Sequence, residues 1–330
     1  MKRLGVVLLF LVCGAGFASC KQNDLFPDAQ KTESATQFKG DPVFVAVGAN
    51  GTIIYSGDGI TWSAGTSGAG GSDVLYAVSS NGKKTFVAVG MGSFVRYSED
   101  GGNTWIPGSG PLVIESAVAS DGDRGWVVGN GINDLRISND NGRTWYDPAV
   151  TLGSTVNSLI YNASLNWWIL LCSGGSYVQY SDDWFATGAT NATGVTSMMR
   201  AVVYANSQFI AVGIGPDAFH SPNGDSWTVG STGMPSAPAY MKDIDYGNGR
   251  YIAVGDNGGT GMAYYYPGSG SWNNTTFSGA VLQGVAFGNN VWVAVGTGGS
   301  VYYSLDNGDN WIPATSGTPQ NLNGVAFGYR

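Results

Sequence analysis

The stretch "FVAVGANGTIIYSGDGITW", residues 44–62, decides the fold. It reads as a buried strand, a glycine-rich turn, a second strand and a polar turn closed by tryptophan. On its own, Asp58 in that turn is a candidate acid or metal ligand. Four clear copies change this reading: "FVAVGMGSFVRYSEDGGNTW" (86–105), "WVVGNGINDLRISNDNGRTW" (126–145), "FIAVGIGPDAFHSPNGDSW" (209–227) and "WVAVGTGGSVYYSLDNGDNW" (292–311). Two degraded copies lie at 167–184 and 251–272. The residue closing the first strand falls at 48, 90, 129, 172, 213, 255 and 296, in steps of 42, 39, 43, 41, 42 and 41. A period near forty with several short β runs per unit is the signature of a propeller. No window carries a helical period.

A further strand precedes each unit except the first: "VLYAVSS" (74–80), "IESAVAS" (114–120), "VNSLIYN" (156–162), "MRAVVYA" (199–205), "MKDIDYG" (241–247) and "LQGVAFG" (282–288). A seventh copy, "LNGVAFG" (322–328), ends the chain with only Tyr329 and Arg330 after it. Circular closure explains both facts. The C-terminal strand becomes the inner strand of the first blade and removes exposed sheet edges. The expected fold is all-β, a propeller of seven four-stranded blades over residues 42–330.

The polar turns share S-x-D-x-G-x-T-W. Ser98, Asp100 and Trp105 belong to one copy and Ser138, Asp140 and Trp145 to another. Ser304, Asp306 and Trp311 form a third with Asn310 for Thr, while Ser56, Asp58 and Trp62 form a shorter one. A fifth, Ser221 to Trp227, has Asn223 for Asp. This pattern resembles the Asp-box, or BNR repeat, of sialidase-like propellers. The resemblance places the box between the third and fourth strands, on the face away from the ligand. The chemistry agrees with a structural role. Ser and Asp side chains hold tight turns through backbone N–H groups, Gly permits the conformation, and Trp packs between sheets. A calcium site wants several converging oxygens, and most boxes offer one carboxylate. No metal or cofactor is expected.

Sialidases, by the same resemblance, use a Tyr–Glu pair, an Asp and three Arg. Here Glu33 is in a polar segment, Glu99 is in a box, and Glu115 alone is placed to face a site. Arg143 is in a box, and Arg96 and Arg136 precede boxes. The clamp cannot be assembled, and the one histidine, His220, takes the place of a strand Tyr. We therefore expect no enzyme activity. The second residue of each inner strand reads Leu75, Glu115, Asn157, Arg200, Lys242, Gln283 and Asn323, which propeller symmetry places in a ring at the channel mouth. Arg200 and Lys242 form an expected cationic arc, with Asp243 and Asp245 nearby and Asp217, Asp256, Met234 and Tyr240 on the same face. This ring is either a solvated channel mouth or a site for an anionic group on a partner.

The N-terminus supplies an address. Lys2 and Arg3 precede an apolar run too short to span a membrane, and small residues then lead to Cys20. This resembles a bacterial lipobox. Residues 1–19 are the expected signal peptide, Cys20 the lipidated residue, and 20–41 the lipidated cysteine with a flexible tether. The alternative is ordinary cleavage that leaves Cys20 a free thiol. With Cys13 removed in the signal and Cys20 carrying lipid, Cys172 is left without a disulfide partner, so stability must come from the core. A net charge of −8 without a basic stripe argues against nucleic acid.

The layout is also similar to photosystem II stability and assembly factors, which include lipid-anchored propellers that bind membrane proteins. The expected function is thus a non-catalytic binding or scaffold lipoprotein of the bacterial envelope, at the outer membrane or cell surface. It is expected to be monomeric, with a protein or other envelope macromolecule as partner. The alternative is a carbohydrate-active propeller, glycosidase or lectin, using the channel mouth.

Overall fold

The structure, a computed structural model, describes residues 40–330 except 69–72, 93, 111–114, 131–133, 149, 151, 153, 173–176, 182–183, 186–189, 237–238, 276 and 278, with no side-chain description at 115, 130, 177–180 and 190. The expected signal peptide, Cys20 and nearly all of the tether lie outside the described residues.

The chain is an all-β propeller. Its sheets run in chain order, and each begins at an inner strand: Leu322–Tyr329 for the first, Leu75–Ser80 for the second, Glu115–Ser120 for the third, Val156–Asn162 for the fourth, Met199–Ala205 for the fifth, Ala239–Gly247 for the sixth and Leu282–Gly288 for the seventh. These inner strands touch one another in ring order, and the last packs against the first. Among the described residues six sheets have four strands and the third has three, so the expected seven complete blades are six. In the third sheet the outer strand is reduced to one bridged pair, Ile137 with Tyr146. The rest of that edge is occupied by side chains: Asp134 accepts the N–H of Leu135 at 2.8 Å and Arg136 donates to its carbonyl.

The first sheet is closed as the sequence implies. Leu322–Tyr329 pairs antiparallel with Pro42–Gly48, with Phe44 opposite Phe327 and Val47 opposite Gly324. Beyond the ladder, Asp41 and Arg330 exchange backbone bonds of 3.0 and 2.9 Å.

Continuous apolar runs such as "VFVAV" arise because the second strand of each sheet is buried on both faces. Val43, Val45 and Val47 pack toward the second sheet with Leu75, Phe86 and Trp105. Phe44 and Ala46 turn the other way, toward Val293 and Val295 of the seventh sheet. The polar turns complete these seams. In the second sheet Ser98 Oγ donates to Asp100 Oδ1 at 2.8 Å and accepts the Gly102 N–H at 2.9 Å. Asp100 Oδ1 also accepts the Thr104 N–H, and the Trp105 indole donates to the Gly102 carbonyl at 2.8 Å. The same bonds recur around Ser138, Asp140 and Trp145, and around Ser56, Asp58 and Trp62. Ser304 and Asp306 repeat the turn, but the Trp311 indole N–H is buried without a partner.

The glycine of this turn sits at positive φ, 85° for Gly102, and a Cβ there would come within 2.4 Å of Val45 in the preceding sheet. Gly59 meets Val293, Gly142 meets Val87, Gly224 meets Ile169 and Gly308 meets Ile252 in the same way. Each polar turn is therefore seated on the second strand of the sheet before it. Partial burial raises the carboxyl of Asp100, yet its bonds from Thr104, Ser98 and Asn103 outweigh this and hold it below its ordinary value of 3.8. The stability it lends is present above that value and lost as pH falls below it.

Trp105→Ala is expected to cost about 3–5 kcal/mol in chemical denaturation, because it empties a seam. Gly102→Ala is expected to cost about 2 kcal/mol through overpacking on Val45 and strain at positive φ. A cost below half a kcal/mol for Gly102→Ala, on the scale of ordinary surface changes of about that size, would refute the seam contact.

Candidate functional site

Each inner strand carries a β-bulge at the same place. Leu75 pairs with Gly90 but Ala77 with Val89; Met241 pairs with Gly255 but Asp243 with Val254. The extra residue is unpaired, and the strand bends there. Except in the third and fourth sheets, which close with Asn130 and Cys172, the second strand closes on the bulge with glycine: a Cβ at Gly90 would lie 1.9 Å from the Val74 carbonyl oxygen, and one at Gly255 1.9 Å from that of Tyr240.

This register corrects the ring. The bulged residues are Tyr76, Ser116, Asn157, Arg200, Lys242, Gln283 and Asn323. Leu75 is instead wholly buried in the core. Glu115 pairs opposite Asn130, so Ser116 takes the ring position; the Glu115 side chain lies outside the described residues. The closing residue of the third sheet likewise moves from Gly129 to Asn130. The apolar pattern "x-A-V" tolerates a slip of one residue, and only the bulge fixes it. All seven ring residues are polar or carry a polar tip.

Ring and polar turns lie at opposite ends of the sheets: Gly48, closing the second strand of the first sheet, lies at the ring end, while Ser56 pairs with Phe44 at the other. A channel of about 480 Å³ runs between the inner strands, and a pocket of about 570 Å³ opens at its mouth. The pocket is lined by Tyr76, Ser116, Asn157, Arg200, Lys242 and Gln283, joined by Tyr240 and Asp256. Asn323 lines the channel only.

The ring residues do two different jobs. Asn323 donates to the Leu75 carbonyl at 2.7 Å, Ser116 to the Val156 carbonyl at 2.7 Å and Asn157 to the Met199 carbonyl at 3.0 Å. These three fasten their sheet to the next. Tyr76, Arg200 and Gln283 make no such bond among the described residues. Arg200 is exposed and has no ion-pair partner among them. The expected two-residue cationic arc does not form, because Lys242 is paired with Asp256 at 2.9 Å. Tyr240 and Asp256 line the pocket on the face where they are expected, whereas Tyr76 enters the ring only through the one-residue slip. Met234, expected on this face, is buried in the core, and Asp217 does not line the pocket.

Below the mouth, the sixth sheet differs from all others. Asp243 and Asp245 stand where other inner strands carry Ala, Ser, Gly, Ile or Val. Asp243 accepts the N–H of Val285 at 2.9 Å and Asp245 that of Phe287 at 2.7 Å, both from the seventh sheet. Each also accepts the N–H of the residue after it, Ile244 and Tyr246. Burial pushes Asp243 up to about 7; its two N–H bonds oppose this and the neighbouring Asp245 adds to it. Burial pushes Asp245 up to about 6 against the same kind of bonds.

Other expected bystanders are packed. Burial pushes the Cys172 thiol up to about 12. His220 bonds Ser231 Oγ at 3.0 Å and meets Tyr266 edge-on, and burial lowers its pKa. Arg96 and Arg136 are buried within the sheets, where each guanidinium bonds the carbonyl of the residue before it. Among the described residues no cluster of three or more His, Cys, Asp or Glu is placed to hold a metal ion.

No protein-family model matches the chain, nor does any curated protein sequence. Solved structures do match in fold. YCF48 bound to D1 peptide superposes with a TM-score of 0.58 at 13% identity over 89% of this chain and 95% of that one. The WD40 β-propeller domain of Doa1 gives 0.58 at 11%, covering 81% and 85%. An ancestral GH74 enzyme gives 0.58 at 14%, covering 77% of this chain and 38% of that one. At these identities the likeness is of fold alone.

A carboxyl with a raised folded pKa stabilises fully below its unfolded value and loses that contribution as pH rises through the folded one. The melting temperature is therefore expected to fall as pH rises from the ordinary carboxyl value of 3.8 to the folded values of about 6 for Asp245 and about 7 for Asp243, and to level off above them. Asp243→Asn with Asp245→Asn should flatten that fall. An unchanged slope in the double variant would place its origin elsewhere.

Proposed function

We propose that this chain is a non-catalytic binding protein of the bacterial envelope, held to a membrane by lipid on Cys20, and that its channel mouth takes a protein partner. The observation that carries this reading is the divided ring. Three residues are spent on fastening sheets, while Arg200, Gln283 and Tyr76 leave their polar ends to the pocket beside one ion pair. An unpaired guanidinium beside phenols and an amide suits an anionic, partly apolar segment. The described carboxylates of the mouth and channel wall are engaged: Asp243 and Asp245 each accept two backbone N–H groups, and Asp256 holds Lys242. This arrangement favours binding over hydrolysis, which wants two carboxyl groups about 5–10 Å apart and open to substrate. A propeller of the same fold, YCF48, is known with a bound D1 peptide, which supports a peptide as occupant.

A second reading is favoured by Tyr76 and Tyr240. Two phenol rings among polar side chains can hold a sugar, so a lectin remains the competing function. Affinity capture from detergent-solubilised envelope, comparing wild type with Arg200→Ala, separates the readings. Loss of a protein band in the variant is expected. Identical captures, or retention on a glycan array with no protein partner, would overturn the proposal. The anchor is tested apart from the mouth: palmitate labelling is expected in the full chain and lost in Cys20→Ser.

A further inference from the structure

The Lys242–Asp256 pair deepens the proposed function and rests on it. Lys242 sits on the bulge of the sixth inner strand, next in the ring to Arg200. Asp256 comes from the adjoining strand, Arg250–Asn257, where it pairs opposite Tyr240. Two residues after Asp256 this strand turns at Gly258 and Gly259, both at positive φ, into the strand Thr260–Tyr266. The Lys242 and Asp256 side chains are only 23% and 14% exposed, so the pair is sheltered rather than a loose surface contact. Asp256 Oδ2 holds the ammonium, and its Oδ1 accepts the Gly259 N–H at 3.2 Å. Both residues line the pocket that Arg200 opens into.

We propose that Asp256 stands in for the ligand. Its carboxylate occupies, on Lys242, the place that a carboxylate of an acidic peptide takes on binding. The incoming group exchanges one ion pair for another, the Asp256 side chain turns to solvent while its backbone stays in the ladder, and Lys242 joins Arg200 as a second cation. In the free protein Arg200 is the one charge of the pocket without an ion-pair partner among the described residues; in the complex two cations face the peptide. The exchange makes affinity modest by construction, because Lys242 gives up a partner to gain one.

The consequence is a gain of affinity on removing a charge. Asp256→Asn keeps the oxygen that accepts the Gly259 N–H, so the hairpin tip is preserved. With a fluorescein-labelled hexaglutamate peptide as probe, Asp256→Asn is expected to tighten binding about fivefold, the scale of one partly exposed ion pair. Removing a nearby negative charge would help any anion slightly, so the decisive arm is a double-mutant cycle. In a Lys242→Met background, Asp256→Asn should change hexaglutamate affinity by less than about twofold, the usual additivity error. Arg200→Ala should weaken the probe about tenfold or more, the scale of a charged hydrogen bond. Hexaglutamine should not bind.

Unchanged or weaker binding in Asp256→Asn, with the Arg200→Ala loss intact, overturns the stand-in role and leaves the mouth as the site. Unchanged binding in Arg200→Ala, or no binding of hexaglutamate to any variant, overturns the mouth reading itself. Binding of trigalacturonate in place of hexaglutamate overturns the peptide as ligand class. Thermal melting of each variant identifies any that lose binding by unfolding.

Discussion

Each well-formed polar turn of this propeller rests on the same contact: a glycine at positive φ pressed against the second strand of the preceding sheet, with a tryptophan beside it. A Cβ at Gly102 would press on Val45 and one at Gly308 on the end of Ile252, so any larger residue there must displace its neighbour. The serine and aspartate of the turn hold that glycine in place from within their own sheet. The contact thus couples local hydrogen bonding to the packing of one sheet on the next. It also explains why the second strands are apolar on both sides, since each is a floor for one neighbour and a wall for the other. A ring built this way must close, and the C-terminal strand closes it by completing the first sheet.

The mouth follows from the same geometry. Sheets set in one register put their bulges at one height, so seven bulged residues point toward a common axis. What distinguishes them is chemistry rather than position. Where the ring residue is short and carries an amide or hydroxyl, as at Ser116, Asn157 and Asn323, it reaches the next backbone carbonyl and becomes part of the seam. Where it is long or cationic, it projects past that carbonyl into the pocket. The sixth sheet departs from the repeat in its own way. It lacks the intact polar turn, and its Trp272 donates across the seam to Ser231 at 2.9 Å instead. It is tied to the seventh sheet by Asp243 and Asp245 in the channel. The same sheet supplies Tyr240, Lys242 and Asp256 to the pocket. A sheet that departs from the repeat therefore carries the largest share of the pocket, as expected where local consistency is given up for a site.

Much of this was legible in the sequence because it repeats. Period, strand content, circular closure through "LNGVAFG" and the structural nature of Asp58, Asp100 and Asp140 all follow from comparing copies. The failures are equally physical. Strand pattern specifies faces but not bulges, so Tyr76 and Ser116 were displaced by Leu75 and Glu115. Composition gives charges but not their partners, so Lys242 was counted as a free cation although Asp256, fourteen residues on, neutralises it across a hairpin. The repeat implies four strands in every sheet, whereas among the described residues only Tyr146 bridges at the outer edge of the third. The fastening role of Asn157 and Asn323 has no sequence signal, since an amide at a bulge looks the same whether it faces solvent or a neighbouring carbonyl.

The overall charge sharpens what the mouth must do. A chain of net −8 repels acidic partners at long range, so electrostatic steering does not bring an anionic segment to the pocket. At physiological salt that repulsion is screened beyond about 8 Å, while a guanidinium in contact with a carboxylate acts inside that distance. In the proposed reading, recognition at Arg200 would then be a short-range event, and its partner would have to be kept close by other means. The proposed lipid on Cys20 would provide this, because confining both molecules to one membrane raises the effective concentration without any new contact. The proposed tether would deliver the encounter that an acidic surface discourages, and the proposed pocket would discriminate among the segments that arrive.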